Sequence, residues 1–518
     1  MDFRKNKLFA IITMIIILSP LSSLFNNVMA ADETPKYIHL SWQHDPKTTM
    51  TISWRTNIET ESIVQYGVDN SSTFEQIGSS GQWHSVELTS LHPDTKYLYR
   101  VGNGEIWCAE NNFKTGTEGN HTTFVAWGDS RHYRPERRSV VELVNSLFYD
   151  FSVFTGDLID NGLYIDQWYN WLADFKPVME NTSLMPILGN HEENSSIYYD
   201  IFALPGKEEY YSFDYGPIHF AILHSCVERF DGNMTEQYEW IQQDLEDNQD
   251  SIWKVVLLHR PVFASSQRNS AGDYDDLKEG LLPILEQYGV DLVLSGHDHF
   301  YERLLNNNIT YIVTGGAGAP LYKLIDAYKL EQQQYAESTL HAVLIDVYEN
   351  QLDLRAINTS YGIIDRFTIN RINKPDLHVE NLPRTRKMLL SETGTIDIII
   401  NNIGEEDILV ETTAIVECSN GKEWTLDVPA LAKNEEVVFY IDTNYTDAGS
   451  YIWTVRLDTE DEVDEVVEEN NEVSFIFNIS EVTEESSFFG EHIWSILSVF
   501  TTILLVATLR VKIRKKKN

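Results

Sequence analysis

The protein has 518 residues, of which 42% are hydrophobic and 23% charged, a balance that excludes both a disordered chain and a bundle of membrane helices. Its 79 acidic residues outnumber the 39 basic residues, giving a net charge of −40, so nucleic acid is not an expected partner. At roughly 150 residues per domain, the length predicts about three domains.

The N-terminus carries a predicted export signal. Basic residues precede an apolar run at 8–18, and a stretch of small residues ends at Ala30. This arrangement is typical of a secretory signal peptide over residues 1–30 that is cleaved after Ala30, with an uncleaved anchor as the alternative. Because the apolar run is short for a membrane span, cleavage is favoured.

Residues 35–117 are predicted to form a first β-sandwich. Apolar and polar residues alternate there in stretches rich in β-branched and aromatic side chains, separated by turn residues. The segment LHPDTKYLYRV at 91–101 resembles the strand, turn and strand pattern of fibronectin type III domains. The predicted strands are 37–42, 50–54, 62–66, 84–88 and 96–101.

Two further domains are predicted behind it. In residues 120–370, apolar runs alternate with helical segments at 135–148, 166–175 and 235–247, which favours a layered α/β domain. Alternation returns in residues 375–480, with strands expected at 395–400, 437–441 and 452–456. This last segment resembles the adhesion-type Ig-like β-sandwiches found near the anchors of surface proteins.

The C-terminus carries a predicted anchor. Residues 493–509 contain no charge and are followed by RVKIRKKKN, which predicts a transmembrane helix over 493–511 and a basic cytoplasmic tail at 512–518. Together the two ends predict a single-pass protein of the cell membrane whose middle is extracytoplasmic. That middle keeps 30 of the basic and 78 of the acidic residues, a net charge of −48.

Polar residues of the metal-ligating types follow five apolar runs of the middle domain. Since the carboxyl ends of neighbouring strands in an α/β sheet converge on one crevice, ligands far apart in sequence can meet there. Carboxylates, an Asn carbonyl and imidazoles suit Fe, Mn or Zn rather than Ca or Mg. The residues concerned are Asp129, Asp157, Asn190 with His191, His259, and His297 with His299.

The motifs GD, GDLID, GNHE, LLH and GHDHFYER, in this order, resemble those of the calcineurin-like metallophosphoesterases. The fibronectin-like domain ahead of them and the Tyr301-Glu302-Arg303 sequence resemble the purple acid phosphatase branch. The resemblance implies an αββα sandwich and an acid phosphatase-like hydrolase with two divalent or trivalent transition metals, Fe, Mn or Zn. In that family a hydroxide between the metals attacks the phosphorus of a phosphate ester.

The resemblance also implies roles for single residues. Asp157 would bridge both metals, Asp129 and His299 would complete the first site, and Asn190, His259 and His297 would complete the second. His191 resembles the family residue that contacts the phosphate and helps to protonate the leaving oxygen. A purely orienting role for His191 is the alternative.

This chain departs from the family pattern at two positions. Arg131 stands where many members carry a ligand His, and Asp160 stands where the purple branch carries a ligand Tyr. The missing ligand of the first site is therefore Asp160, His132 or water, and an iron form without the Tyr is expected to be uncoloured. Arg131 would bind substrate phosphate or pair with a carboxylate. Arg268 is a candidate phosphate clamp, with an ordinary surface Arg as the alternative.

We therefore expect an exported, membrane-anchored phosphoesterase acting on a phosphorylated small molecule or a phosphorylated surface substrate. The alternative is a catalytically decayed surface protein that keeps the fold and serves in binding or adhesion. A nuclease of the same superfamily is disfavoured by the charge of −48.

Overall fold

The computed structural model describes residues 32–480, with gaps at 69–72, 120, 231, 372–373, 381–384, 390–393, 444, 446, 460–462, 464 and 468. The predicted signal peptide at 1–30, the transmembrane helix at 493–511 and the tail at 512–518 lie outside these residues. Within the described part, no helix combines the length and the apolar character needed to cross a membrane.

The described residues form two compact units, one of residues 32–141 with 150–342 and one of residues 142–149 with 343–480. The first fifteen strands are β1 Lys36–Ser41, β2 Met50–Gly67, β3 Phe74–Leu88, β4 Lys96–Gly102, β5 Asn111–Lys114, β6 Thr122–Trp127, β7 Phe151–Phe154, β8 Ser183–Pro186, β9 Tyr211–Tyr215, β10 Ile218–Leu223, β11 Trp253–Leu258, β12 Leu292–Ser295, β13 Tyr301–Asn306, β14 Ile309–Thr314 and β15 Gln333–Glu337. The helices are α1 Arg134–Asn145, α2 Ile165–Met179, α3 Ser196–Ile201, α4 Met234–Asp247, α5 Gln267–Ser270, α6 Asp275–Gly280 and α7 Leu282–Gln287. The remaining strands are β16 His341–Val347, β17 Gln351–Asn358, β18 Ile363–Asn370, β19 Leu377–Val379, β20 Thr385–Leu389, β21 Gly394–Asn402, β22 Thr412–Cys418, β23 Lys422–Val428, β24 Glu436–Thr443, β25 Gly449–Arg456 and β26 Glu472–Ser480.

The N-terminal domain is built on one long strand. The strands predicted at 50–54 and 62–66 are a single 18-residue strand, β2, because the backbone stays extended through register shifts between Arg55 and Ser62. The first half of β2 pairs with β1 and its second half pairs with β4, while β3 runs alongside both halves. The separation of β2 into two strands was therefore wrong.

The α/β domain contains two facing sheets. Strands β6, β7 and β8 are parallel, and β1 of the N-terminal domain joins them by pairing with β8. In the other sheet β10, β11, β12 and β14 are parallel, and β9, β13 and β15 are antiparallel additions. Parallel strands of this kind bring their carboxyl ends to one edge.

Aromatic residues show how the layers pack. Phe124 and Phe151, from β6 and β7, contact Phe220 of the other sheet. Trp127 and Phe154 lie on the opposite face of the same strands and pack against helix α2. Helix α4 covers the outer face of the second sheet through Ile241 and Leu245. This is the predicted order of helix, sheet, sheet and helix.

Helices α1 and α2 are linked by one buried carboxylate. Asp174 accepts hydrogen bonds from Arg134, Arg137 and Arg138, with Nε distances of 3.0, 3.1 and 2.8 Å. Arg137 also donates from Nη1 to the carbonyl of Ser130 at 3.4 Å. These bonds fix the loop between β6 and α1, which holds part of the candidate site.

His219 of β10 is buried and lies away from the candidate site. Its two ring nitrogens lie 2.8 Å from carboxylate oxygens of Asp214 and Asp244. Burial lowers the pKa of His219, but the hydrogen bonds to the two carboxylates outweigh burial and raise it to about 9.

The second unit contains the C-terminal β-sandwich. Strands β19, β21 and β24 form one sheet, and β20, β26, β25, β22 and β23 form the other. The strands predicted at 395–400, 437–441 and 452–456 lie within β21, β24 and β25. Ile398, Val416, Trp453 and Phe477 contribute to the core between the sheets.

Candidate metal centre

The candidate site lies where strands of both sheets end. Asp129 and Asp157 follow β6 and β7 in the first sheet, while His259 and His297 follow β11 and β12 in the second. Backbone hydrogen bonds join neighbouring loops, from Asp129 to the carbonyl of Gly156 at 3.0 Å and from Gly296 to the carbonyl of His259 at 3.0 Å. The sheet topology therefore gathers residues separated by 170 positions.

The gathered side chains form two overlapping groups. Asp157, His259 and His297 form one group, and Asp129, Asp157 and His299 form the other. Within each group the candidate ligand atoms all lie within 4.8 Å of one another. Asp157 belongs to both groups, which is the position that the resemblance implies for a bridging ligand.

The hydrogen bonds of the histidines orient them toward the carboxylates. His259 and His299 place Nδ1 at 2.7 Å from the backbone carbonyls of Thr155 and Pro320, so each Nδ1 carries the hydrogen and donates it. Their Nε2 atoms lie 3.3 Å from Asp157 Oδ1 and 3.4 Å from Asp129 Oδ1, respectively. A histidine ligand is typically held this way, with one nitrogen donating to the protein and the other facing the metal.

Asn190 supplies the sixth predicted ligand. Its neighbours Gly189 and His191 flank Asp157, since the amide of His191 donates to Asp157 Oδ1 at 3.0 Å. A Cβ on Gly189 would lie 2.3 Å from that same oxygen, so only glycine allows this approach. Asn190 Oδ1 and Asp129 Oδ1 are both buried and accept no hydrogen bond from the described residues. Buried acceptors of this kind fit a cation as the missing partner.

Several of these residues have strained backbones. Asp129, Asp157 and His297 have φ values of 61°, 54° and 70°, the left-handed region that non-glycine residues rarely adopt. Such conformations cost about 1–3 kcal/mol each and persist where the surrounding structure enforces them, often at functional sites. A Cβ on Gly296 would lie 2.3 Å from Asp129 Oδ2, which explains the glycine before His297.

Glu192 holds the loops of the site in place. This fully buried carboxylate accepts hydrogen bonds from the amides of Asp157, Leu158 and Gly189 at 3.1, 2.8 and 2.6 Å. Burial and the charge of Asp157 raise the pKa of Glu192 to about 8, whereas the amide donors favour the ionised form. Glu192 belongs to the GNHE motif, but its supporting role was not predicted from the sequence.

Charges within the centre are strongly coupled. Burial raises the pKa of Asp157, but the neighbouring His259 outweighs burial and holds it well below its usual range. Burial lowers the pKa of His259, but the charge of Asp157 outweighs burial and raises this pKa to about 9. Burial, reinforced by His259, lowers the pKa of His297. A cation bound here would displace the proton of His259, because a metal ligand must be the neutral imidazole.

Arg131 lies beside the group of Asp129, Asp157 and His299. Its Nε is 3.3 Å from Asp157 Oδ2, and its Nη2 is 3.4 Å from His299 Nε2. Of the two roles expected for Arg131, the structure shows the pairing with a carboxylate. The two candidates for the missing ligand, Asp160 and His132, lie at the rim and contact each other at 2.8 Å.

The hydrogen bonds of His191 leave its Nε2 on the side of the candidate centre. Its Nδ1 lies 2.6 Å from the carbonyl oxygen of Asp160, so Nδ1 carries the hydrogen. Its Nε2 lies 3.9 Å from Asp157 Oδ2, and the side chain is only half-buried. Nε2 is therefore the atom available to a reacting group at the centre.

Arg268 is held beside His297 by three hydrogen bonds. It donates to the carbonyl of His297 at 2.9 Å, to Asp298 Oδ1 at 3.2 Å and to the hydroxyl of Tyr322 at 3.1 Å. Tyr322 stacks on His299 with ring centroids 4.2 Å apart. Sequence reasoning missed Tyr322, because it lies on a loop 23 positions after His299 with no motif around it.

The residues present fit a two-metal centre. Five of the six predicted ligands form the two groups, and the sixth, Asn190, has a buried oxygen without a hydrogen bond from the described residues beside Asp157. The donors are carboxylate oxygens, an amide oxygen and imidazole nitrogens, which suit Fe, Mn or Zn. Their roles as ligands remain predictions.

Comparisons with known proteins agree with this site. The purple acid phosphatase N-terminal domain family matches residues 35–115, the calcineurin-like phosphoesterase family matches 96–301 and the CARDB family matches 374–475. Acid phosphatase type 7 of Homo sapiens is 29% identical over 325 residues, covering 53% of this chain and 72% of that protein. Purple acid phosphatase 22 of Arabidopsis thaliana is 29% identical over 298 residues, covering 52% and 67%.

A solved structure shares the fold. Purple acid phosphatase PPD1 from yellow lupin (Lupinus luteus) seeds aligns with a TM-score of 0.58 at 20% identity, covering 65% of this chain and 74% of that one. The predicted family resemblance is thus confirmed. The chain carries a purple acid phosphatase N-terminal domain followed by a calcineurin-like metallophosphoesterase domain, and it is homologous to acid phosphatase type 7 and to the purple acid phosphatases, which hydrolyse phosphate esters at a binuclear Fe, Zn or Mn centre.

Proposed function

We propose that this protein is a binuclear metal-dependent phosphoesterase that hydrolyses phosphate esters outside the cytoplasm while anchored to the membrane. One observation carries the catalytic part of this proposal. Two groups of buried ligand-type side chains share Asp157, and the atoms of each group lie within 4.8 Å of one another. A shared carboxylate is what two neighbouring cations need to offset their mutual repulsion.

The protein supplies the geometry on which the chemistry depends. Asp129, Asp157 and His299 would hold one cation, and Asp157, Asn190, His259 and His297 would hold the other. Two such cations, when bound, offset the charge of a phosphate ester and make water a stronger nucleophile near neutral pH. Glu192 keeps the loops of Asp157 and Asn190 in register through its three amide bonds.

His191 provides the proton for the leaving group in this proposal. Because Nδ1 is committed to the carbonyl of Asp160, Nε2 is the only ring atom that faces the centre. When protonated, Nε2 donates to the oxygen of the departing alcohol, and when neutral it accepts a proton from water. Because the side chain is only half-buried, His191 can exchange this proton with solvent and act as both acid and base.

Arg131 is the second proposed substrate contact. Its guanidinium pairs with Asp157 in the structure. Once the charge of Asp157 is engaged by cations, the planar fork of Arg131 is free to bind two phosphate oxygens. Arg268 is instead committed to His297, Asp298 and Tyr322, so we propose that it positions the His297–His299 loop rather than clamping the phosphate.

The proposed location is supported by the sequence alone. The signal-like segment at 1–30 and the apolar segment at 493–511 with its basic tail support an extracytoplasmic phosphoesterase domain. The substrate would then be an extracytoplasmic phosphorylated small molecule or a phosphorylated surface group. Digestion of intact cells by an added protease tests this, because an extracytoplasmic domain is cleaved and a cytoplasmic one is protected.

Hydrolysis of an aryl phosphate by the metal-loaded protein tests the catalytic proposal. We expect His259→Ala to lose metal and activity together, because His259 is a proposed ligand. His219→Ala is the matched control, since it also removes a buried imidazole, hydrogen-bonded to carboxylates of the same unit. A wild-type protein that hydrolyses no phosphate ester with Fe, Mn or Zn would overturn the proposal and favour the decayed binding or adhesion protein.

A further inference from the structure

A cleft opens beside the candidate metal centre. Its volume is about 430 Å³, within the range of small-molecule sites. It is lined by residues 265–268, Asp298, Phe300, residues 321–323, Ile325 and Tyr328. We call this space the Tyr322 cleft.

The Tyr322 cleft adjoins the metal centre through Asp298 and Tyr322. Asp298, between the proposed ligands His297 and His299, forms part of its wall. Tyr322 stacks on the ring of His299 at 4.2 Å, and its amide donates to the carbonyl of His299 at 2.9 Å. A phosphate group placed at the centre would therefore project its ester substituent toward this cleft or toward the opposite rim.

Two exposed aliphatic side chains line the cleft, beside the exposed polar residues Gln267 and Lys323. Leu321 is 37% exposed and Ile325 is 50% exposed, although aliphatic side chains of this size are usually buried. Both line the cleft, as do the aromatic rings of Phe300, Tyr322 and Tyr328. A flat apolar group inside the cleft would remove this surface from water.

Arg268, Asp298 and Ser265 of the wall are already hydrogen-bonded, whereas Gln267 and Lys323, which also line the cleft, are exposed to solvent. Arg268 donates to His297, Asp298 and Tyr322, and Asp298 Oδ2 accepts from the hydroxyl of Tyr274 at 2.8 Å. Ser265 Oγ accepts from the amide of Leu330 at 3.0 Å. An apolar occupant would thus leave these groups with their partners, which avoids the cost of burying an unpaired polar atom.

We propose that the Tyr322 cleft binds the aromatic leaving group of a phosphomonoester whose phosphate lies at the metal centre. This inference rests on the proposed function and adds its substrate class. The cleft selects esters of larger aromatic alcohols over esters of small ones. The selection acts on substrate binding, because none of the apolar lining residues is a proposed ligand or proton donor.

Phenyl phosphate and 2-naphthyl phosphate, whose leaving groups have similar acidity, test whether the cleft selects the larger aromatic group. We expect the wild-type protein to hydrolyse 2-naphthyl phosphate with a kcat/KM about tenfold higher, mainly through KM, the usual scale for added apolar contact in a pocket. Ile325→Ser and Leu321→Ser should bring the ratio of the two kcat/KM values close to one, mainly by raising KM for 2-naphthyl phosphate. Ile77→Ser is the control, because Ile77 is 66% exposed in the N-terminal domain and should not alter the ratio.

Equal kcat/KM values for the two esters in the wild type, or an unchanged preference in both cleft variants, would overturn the inference while leaving the proposed function intact. Fluorescence binding of 2-naphthylphosphonate, which has no ester bond to hydrolyse, separates the two claims. If no ester is hydrolysed, the proposed function fails. Even then, the cleft proposal predicts that the wild-type protein binds the phosphonate and that Ile325→Ser binds it severalfold more weakly. Equal binding by the two proteins would refute the cleft proposal.

Discussion

Replacing Glu192 by Gln tests how the loops of the metal centre are held together. Both carboxylate oxygens of Glu192 accept hydrogen bonds from backbone amides, three bonds in all. Glutamine keeps one acceptor oxygen, and its NH₂ group replaces the other. At least one backbone amide would then face a donor and lose its hydrogen bond. Leaving one buried amide unpaired costs about 1–3 kcal/mol. We expect Glu192→Gln to lower the free energy of unfolding by about that amount.

The assay is urea unfolding of the metal-free protein, followed by metal analysis after reconstitution. Metal content should fall as well, because Asp157 and Asn190 lie on the loops that Glu192 joins. Glu193→Gln makes the same substitution at the next position, where the side chain does not contact these amides, and should change neither quantity. If Glu192→Gln unfolded at the wild-type urea concentration and bound full metal, the supporting role of Glu192 would be refuted.

Three further predictions address proton transfer, pH and colour. His191→Ala should lower kcat by about a hundredfold or more while metal content stays at the wild-type level. His44→Ala, on the exposed surface, is the control and should change neither kcat nor metal content. A parallel loss of metal and activity in His191→Ala would mean that His191 only supports the ligands. As pH rises from 6.5 through 9, the unfolding free energy should lose about 3 kcal/mol, because His219 has a folded-state pKa raised to about 9 and stabilises the fold only while protonated. His219→Phe should remove this pH dependence in urea titrations, and a variant that kept the wild-type slope would show that another group is responsible. The iron-loaded protein should lack an intense visible band, since Asp160 replaces the family Tyr; a band abolished by Tyr164→Phe or by Tyr322→Phe would reveal a tyrosinate ligand.

The sequence predicted the layered domain because its signals are local. Apolar runs followed by Gly-Asp, Gly-Asn-His or Gly-His mark strand ends, and the parallel topology brings those ends together. The positions 135–148, 166–175 and 235–247 correspond to α1, α2 and α4 for the same reason, since each has the helical period. By contrast, the joining of 50–54 and 62–66 into β2 depends on cross-strand pairing with β3 through irregular register, which composition does not reveal.

The parts of the site that escaped prediction depend on distant contacts. Glu192 acts on Asp157 and Leu158 from 35 and 34 positions away, so its motif position alone does not identify its partners. Tyr322 reaches His299 and Arg268 only because its loop folds back over the ends of the strands. Arg131 appeared in the sequence as a residue out of pattern, but its pairing with Asp157 required the geometry.

Metal analysis of the wild type and of Asp157→Asn tests most directly the claim that one carboxylate joins two metal ions. After reconstitution with Mn, Fe or Zn, the wild-type protein should hold about two metal ions per chain. Asp157→Asn should hold fewer than one and lose hydrolysis in parallel, because both groups of ligands share this residue. Fewer than one metal per chain in the wild type, or two in Asp157→Asn, would contradict the account.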